Sequence, residues 1–383
     1  MNIVTIQKEQ YVDALHLSEY AFQYTLSEEK LAQRIEWMRK YHEVFAIKEG
    51  EEIAAKFHFL PSHIYFGQEK MKMGGIAAVA TYPEHRRKGY INELFQFALK
   101  KMKEEGYTIS MLHPFAAGFY RKYGFEFFSD RTVRTLAKEH LVMHKHVDGY
   151  MKRISRGAYS EDVNNVYEQY AGTFTGMLAR TKDWWLQSII QDGRSAVYYN
   201  KQGEARGYII YDIENYKMTV DEFVALDSEA RSGLWNFICQ HDSMAKEVVM
   251  TTYDREPLFF SLHEPRMKTE TKPYFMARIV DVESFTLQYE FEEGEVTLHI
   301  SDEHAPWNEK TMVIKEGTVH VMEREEGSTS GLHMNINTLT TLLFGYKRPH
   351  ELLDIGAISG NIEEVKQLEK VIPLNKSYFY DFF

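Results

Sequence analysis

Within residues 91–102, Ile91, Leu94, Phe95, Ala98, Leu99 and Met102 recur at a helical spacing. Steps of three, one, three, one and three place them on one face of a helix, and Gly106 just beyond predicts its stop. Residues 12–22 carry the same kind of spacing. Ser27 followed by Glu28 and Glu29 predicts a capped start for another helix, with Leu31, Ile35 and Met38 on one face. After that helix the period shortens. The runs "EVFAIK", "EIAAKFHF", "SHIYF" and "KMGGIAAVAT", parted by turns such as "KEGE" and "FGQEK", predict an antiparallel meander. Beyond residue 106, "YTISML" predicts a strand. Pro114 then breaks the chain, a short helix runs to Tyr123, Gly124 ends it, and "FEFF" resumes as a strand.

The same order recurs. "SAVYYN", "ARGYIIYDI" and "KMTVDEFVAL" predict a second meander, "SEARSGLWNFICQH" a helix and "EVVMTTY" a strand, as in a diverged internal copy. A seam is expected near residue 150, in "HVDGYMKRISRGAYSED". From about residue 285, a hairpin "FTLQYEF…EVTLHI", two strands "TMVIK" and "TVHVM", and helices "INTLTTLLFG" and "NIEEVKQLEKV" predict a third, smaller α+β unit. The expected division is 1–150, 151–284 and 285–383. Three units suit 383 residues, because single cores stop growing at about 250–300 residues.

Charge narrows the partners. A formal net charge of −11 disfavours nucleic acid and anionic membrane and favours a cationic ligand. The single cysteine, Cys239, lies among apolar residues and reads as a packed thiol. One cysteine allows no internal disulfide, which fits a reducing cytoplasm. The start "MNIVTIQKEQ" lacks the charged leader and apolar run of a secretory signal, and no stretch approaches the roughly 20 apolar residues of a membrane span. "MHKH" offers His144 and His146 on one face of a strand without an evident third ligand, so no metal site is expected.

The chemistry concentrates in "AAVATYPEHRRKGYINELF". A strand ends, Pro83 breaks it, and Arg86, Arg87, Lys88 and Gly89 lead into the helix. Unpaired amides at a helix start, a glycine for close approach and three basic side chains make a site for a phosphate or pyrophosphate. Neither a P-loop nor a G-x-G-x-x-G fingerprint is present. "HRRKGY" after "AVATYP" resembles the R/Q-x-x-G-x-G/A pyrophosphate loop of the GNAT acetyltransferases, except that Ile91 stands where the family has a small residue. "FAAGFYRKYGFEFF" resembles the next GNAT motif. With "LTTLLFGY" and the terminal "DFF", the whole chain resembles the enhanced intracellular survival (Eis) type N-acetyltransferases.

That resemblance implies an α+β chain of three domains: a GNAT domain, a degenerate second GNAT-like domain and a sterol-carrier-like domain. It implies acetyl-CoA as co-substrate, with Val79, Ala80 and Thr81 pairing with the pantetheine arm. Arg86, Arg87, Lys88, Gly89, Tyr90 and Ile91 would hold the pyrophosphate. Tyr120 would be the general acid and the α-carboxylate of Phe383 the general base. Phe22, Tyr24 and Trp37 would line the acceptor pocket. The acceptor would be a small cationic amine (aminoglycoside-like, polyamine or lysine), and the assembly a homo-oligomer, a hexamer in proteins of this type. In the middle unit "DSEARSGLW" falls where a second CoA loop would lie, and its two acids and one arginine make a poor pyrophosphate nest, so that copy is expected to be structural. The alternative is a non-catalytic carrier or interaction protein, binding CoA and holding an apolar ligand in the sterol-carrier-like tail.

Overall fold

A computed structural model describes residues 2–191, 193–324 and 330–383. The first sheet begins with β1 (Ile3–Thr5), β2 (Glu43–Glu49), β3 (Glu52–Phe66), β4 (Glu69–Thr81) and β5 (Ile109–Leu112), side by side in that order. Helices α1 (Tyr11–Phe22), α2 (Glu28–Tyr41) and α3 (Tyr90–Glu104) join them. α2 starts where its sequence says it should, with the Ser27 side chain accepting from the Lys30 amide. The six apolar positions of the face read above are buried in α3, apart from partly buried Ile91, and pack on the sheet with Phe57, Phe59 and Ile76.

β3 is one strand where the sequence suggests two, with Pro61 inside it. Proline cannot donate to a ladder. Here it costs little, because β2 pairs with β3 only as far as Phe59, and the next neighbour on that side, Thr175–Leu178, begins at Ile64.

Beyond β5 the first sheet is completed from far along the chain. Met276–Ile279 inserts antiparallel between β5 and Glu126–Phe127. In exchange Asp130–Ala137 enters the second sheet, between Lys268–Pro273 and Glu247–Thr252. The sheets thus trade strands across the expected 1–150 and 151–284 division. An alternating strand such as "DRTVRTLA" serves either sheet equally well, so its pattern cannot say which one takes it.

The third unit is a four-stranded sheet covered by Ile336–Leu343 and Ile362–Val371. One departure stands out. "FTLQYEF" is not a strand: Val282–Thr286 is a helix capped by Asp281, and residues 287–294 pair with no strand. Its alternating Phe285, Tyr289 and Phe291 bury their rings, and Leu287 is exposed, so alternation here reports ring burial rather than pleat. The core of this unit is continuous with the first sheet, through Phe66, Phe128 and Phe275. No described helix is long and apolar enough to cross a membrane.

Candidate active site

Two neighbouring strands open the site. β4 pairs in parallel with β5 at only three positions, from Met73↔Ile109 to Gly75↔Met111. Past Gly75 the strands part, leaving one edge of residues 76–81 without a strand partner. The β4 ladder with β3 also slips there, from His58↔Ala77 to Lys56↔Ala80, and Ala78 takes a positive φ of 49°. A bulge of this kind re-aims the strand's amides and carbonyls.

At the end of that edge lies the basic turn. Residues Pro83–His85 form one tight turn, and then Arg87 and Gly89 adopt left-handed φ of 63° and 85°. Only at Glu93 does an amide find a backbone acceptor again, the Gly89 carbonyl. The amides of residues 87–92 therefore have no partner among the described residues at the positive end of α3, the arrangement that cradles an anion. A cavity of about 530 Å³ follows this path, bounded by Val79, Ala80, Thr81, Arg86, Arg87, Gly89, Tyr90 and Ile91, and closed by Phe115, Phe119 and Tyr123. Free strand edge, orphan amides and two guanidinium groups together fit an extended thiol arm with a diphosphate.

Lys88 is not part of that lining. Its ammonium pairs with Glu49 at 3.4 Å and lies 3.2 Å from His85 Nδ1. Glu49 also accepts the Tyr90 hydroxyl. Tyr120 lines neither this cavity nor the next. It is buried, ringed edge-on by Phe95, Phe115, Phe119 and Phe125, and its hydroxyl has no hydrogen-bond partner among the described residues. Burial pushes its pKa above the usual phenol range, so the proton stays on at neutral pH.

A second cavity of about 400 Å³ lies on the far side of the β4 bulge, against Ala77 and Ala78. Phe22, Tyr24 and Trp37 border it, joined by Trp184 from the middle of the chain and by Phe382 and Phe383 from its end. The terminal ring rests on Gly75, where a Cβ would lie 2.9 Å from its edge. Only glycine leaves that space, and it does so where β4 and β5 part. No ion pair engages the Phe383 carboxylate among the described residues.

The tail is fixed by more than its aromatic residues. Tyr378 and Phe379 are buried, but Phe382 is 61% exposed. The main anchor, missed in the sequence, is Asp381, fully buried against Arg180 (Nε–Oδ1 3.0 Å) and the Trp184 indole (2.7 Å). Arg180 also holds Glu222, which accepts from Tyr208 at 2.6 Å. A carboxylate two residues from an aromatic chain end was the signal available. Its partner, two hundred residues earlier in the chain, was not.

Cys239 is buried, and burial pushes its thiol up to about 12. His144 lies outside any strand, its amide donating to Asn236. No group of three or more His, Cys, Asp or Glu that could hold a metal occurs among the described residues.

Comparison with known proteins agrees with this architecture. Residues 2–128 and 176–279 each match an acetyltransferase (GNAT) domain, and residues 282–380 a sterol carrier protein domain. The chain is 23% identical over 220 residues to the N-acetyltransferase Eis of Mycobacterium tuberculosis, and the match covers 54% of each chain. It thus spans about half the length of the curated relatives it matches. Over its full length it superposes on a probable N-acyltransferase of unknown function from Enterococcus faecalis, with TM-score 0.91, 26% identity and 99% of that chain covered. Eis1 from Mycobacterium abscessus shares the fold at TM-score 0.84 and 16% identity, with 100% of both chains covered.

Proposed function

Because the chain carries two GNAT domains and a sterol carrier protein domain and is similar to Eis, we propose that it is an acetyl-CoA-dependent N-acetyltransferase acting on a primary amine. The observation that carries this reading is the parting of β4 and β5 after Gly75, with one cavity along residues 79–81 fitted to a CoA thioester and a second against Ala77 and Ala78, bordered by the chain's last residue. Val79, Ala80 and Thr81 offer their unpaired edge to the pantetheine, and the amides of residues 87–92 with Arg86 and Arg87 receive the diphosphate. The pyrophosphate role of Lys88 depends on its leaving Glu49.

An amine attacks a thioester only as the free base, yet its pKa of about 10 keeps it protonated at neutral pH. The Phe383 carboxylate, ordinarily of pKa about 3.5, accepts that proton directly or through water. The amine nitrogen bonds to the acetyl carbon, the C–S bond breaks, and the thiolate takes a proton from Tyr120, a role that depends on the buried hydroxyl reaching the CoA cavity past Phe115 and Phe119. The products are the N-acetyl amine and CoA thiol, with no covalent enzyme intermediate. A cationic acceptor of the aminoglycoside, polyamine or lysine kind presents such an amine. The expected cytoplasmic location, where acetyl-CoA is made, and a homo-oligomeric, hexameric assembly belong to the same proposal.

The rival carrier role would need the apolar strands of the third unit for a ligand. They are instead packed into the core shared with the first sheet. The deciding experiment is release of free thiol from acetyl-CoA across a panel of amines. Amine-dependent release supports the transferase. CoA binding with no release from any amine would contradict it.

A further inference from the structure

The acceptor cavity has a charge pattern that the transferase reading leaves open. No Asp or Glu is among its described lining residues, and Phe383, whose carboxylate the transferase reading makes the base, ends against it. Arg34 of α2 lines it as well, and makes no ion pair among the described residues.

Behind Arg34 the wall continues as a buried row of nitrogen groups. Lys56 is fully buried, with Nζ 2.5 Å from Ser18 Oγ and 3.0 Å from His58 Nε2. His58 Nδ1 lies 3.2 Å from His42 Nδ1. His42 is only 7% exposed, lines the cavity, and its Nε2 has no partner. The Ser18 hydroxyl donates to the Ala14 carbonyl, so it accepts from Lys56. Beyond Lys56 the row has two proton orders: its amine donates to His58 Nε2, which leaves the His42 proton on the orphan Nε2, or accepts from it, which leaves Nε2 bare, and a carboxylate placed at Nε2 selects the first. No carboxylate compensates the row. The charges acting on Lys56, His58 and His42 are Arg34 and one another, and burial with those cations holds all three well below their usual pKa values.

A buried imidazole nitrogen without a partner is costly, and the exposed guanidinium of Arg34, which makes no ion pair among the described residues, adds a positive charge that favours a carboxylate there. We propose that the acceptor is a zwitterion: a small molecule whose primary amine faces the Phe383 carboxylate, whose own carboxylate takes Arg34 and His42 Nε2–H, and whose apolar body lies among Phe22, Tyr24 and Trp37. This rests on the transferase reading for the fate of the amine, and it narrows the acceptor class. A polycation would bring further ammonium groups to a wall with no acidic side chain to receive them. The bond changes are those of ordinary acetyl transfer.

The test compares phenylalanine, phenylalaninamide and spermine on the full chain, by thiol release and by tryptophan-fluorescence titration in the presence of CoA. Phenylalanine should bind and react with a constant at least about tenfold lower than phenylalaninamide, since a charge-assisted hydrogen bond contributes that much. Arg34→Gln should shrink the ratio to about twofold, and Arg34→Lys should keep part of it. Spermine as the best acceptor, equal binding of the acid and its amide, binding of neither, or a ratio unmoved by Arg34→Gln would overturn the proposal. Preferential binding of the acid without thiol release from any amine would spare it and overturn the transferase reading instead.

Discussion

The two GNAT copies part their strands in the same way and then diverge. In the first, β4 and β5 separate after three paired positions and the free edge runs into a turn of unpaired amides. In the second, Lys217–Ala225 and Glu247–Thr252 pair in parallel at four positions, up to Val220↔Met250, and also separate. There the helix Ser228–Cys239 begins at Asp227, whose carboxylate accepts from the Ala230 amide at 2.8 Å and pairs with Arg206 at 2.8 Å. A carboxylate occupies the place where a phosphate would have to lie. The opened edge is also filled: the Tyr380 hydroxyl lies 3.4 Å from the Phe223 amide and 3.3 Å from its carbonyl. The tail that fills the second copy's cleft goes on to set the Phe383 ring against Gly75 of the first. A duplicated fold can thus retire one site and use its cleft as an anchor for the other.

This comparison can be broken, beginning with the anchor. Asp381→Asn weakens the charged hydrogen bonds to Arg180 and Trp184 while Glu222 still balances Arg180, and should cost about 1.5–3 kcal/mol in a denaturant titration, the scale of a hydrogen bond to a charged group. Unchanged stability would remove the anchor from the account. Next is the terminal carboxylate. Two residues added after Phe383 should lower kcat by about a hundredfold or more while CoA affinity holds, the usual scale for losing a general base. Retained turnover would end that role.

The proposed acid ranks third. Tyr120→Phe should reduce kcat by roughly tenfold to a hundredfold with CoA affinity unchanged. Tyr123→Phe serves as the control, because Tyr123 lines the CoA cavity and Tyr120 does not. If only Tyr123→Phe slows the reaction, the acid has been misassigned. The loops come fourth. Arg86→Ala or Arg87→Ala should weaken CoA binding by about tenfold, on the scale of one charged hydrogen bond. Arg231→Ala, at the corresponding helix start of the second copy, should leave it unchanged by calorimetry.

The smallest effect is a pH slope. His42 is held down to about 3 by burial, below its unfolded value of about 6.5. Between those values the unfolded chain binds a proton that the folded chain does not, so stability falls as pH drops through that window, by up to about 1.4 kcal/mol per unit. Thermal melts from pH 6.5 to 5 should therefore be flatter for His42→Gln than for the parent chain.

Much of this was legible in the residues. Helix α3, the basic turn before it and the second meander follow from spacing and local turn chemistry, which act over a few positions. The acidic start of the second helix was legible for the same reason. What stayed hidden depends on distance in sequence. Nothing in "PYFMARIV" announces that its strand will lie beside β5, and nothing near Arg180 points to Asp381. Burial of Lys56, His58 and His42 in one row was hidden too, because the alternation of β3 assigns faces without saying what lies over them. Lys88 looked equivalent to Arg86 and Arg87 in the string, and only the position of Glu49 separates it from them.

The central claim is that one copy binds CoA and the other cannot. A crystal soaked with CoA tests it most directly. The account predicts one molecule per chain, its diphosphate on the amides of residues 87–92 and its pantetheine along residues 79–81. Diphosphate at the Asp227 helix start, or none at the first turn, would contradict it.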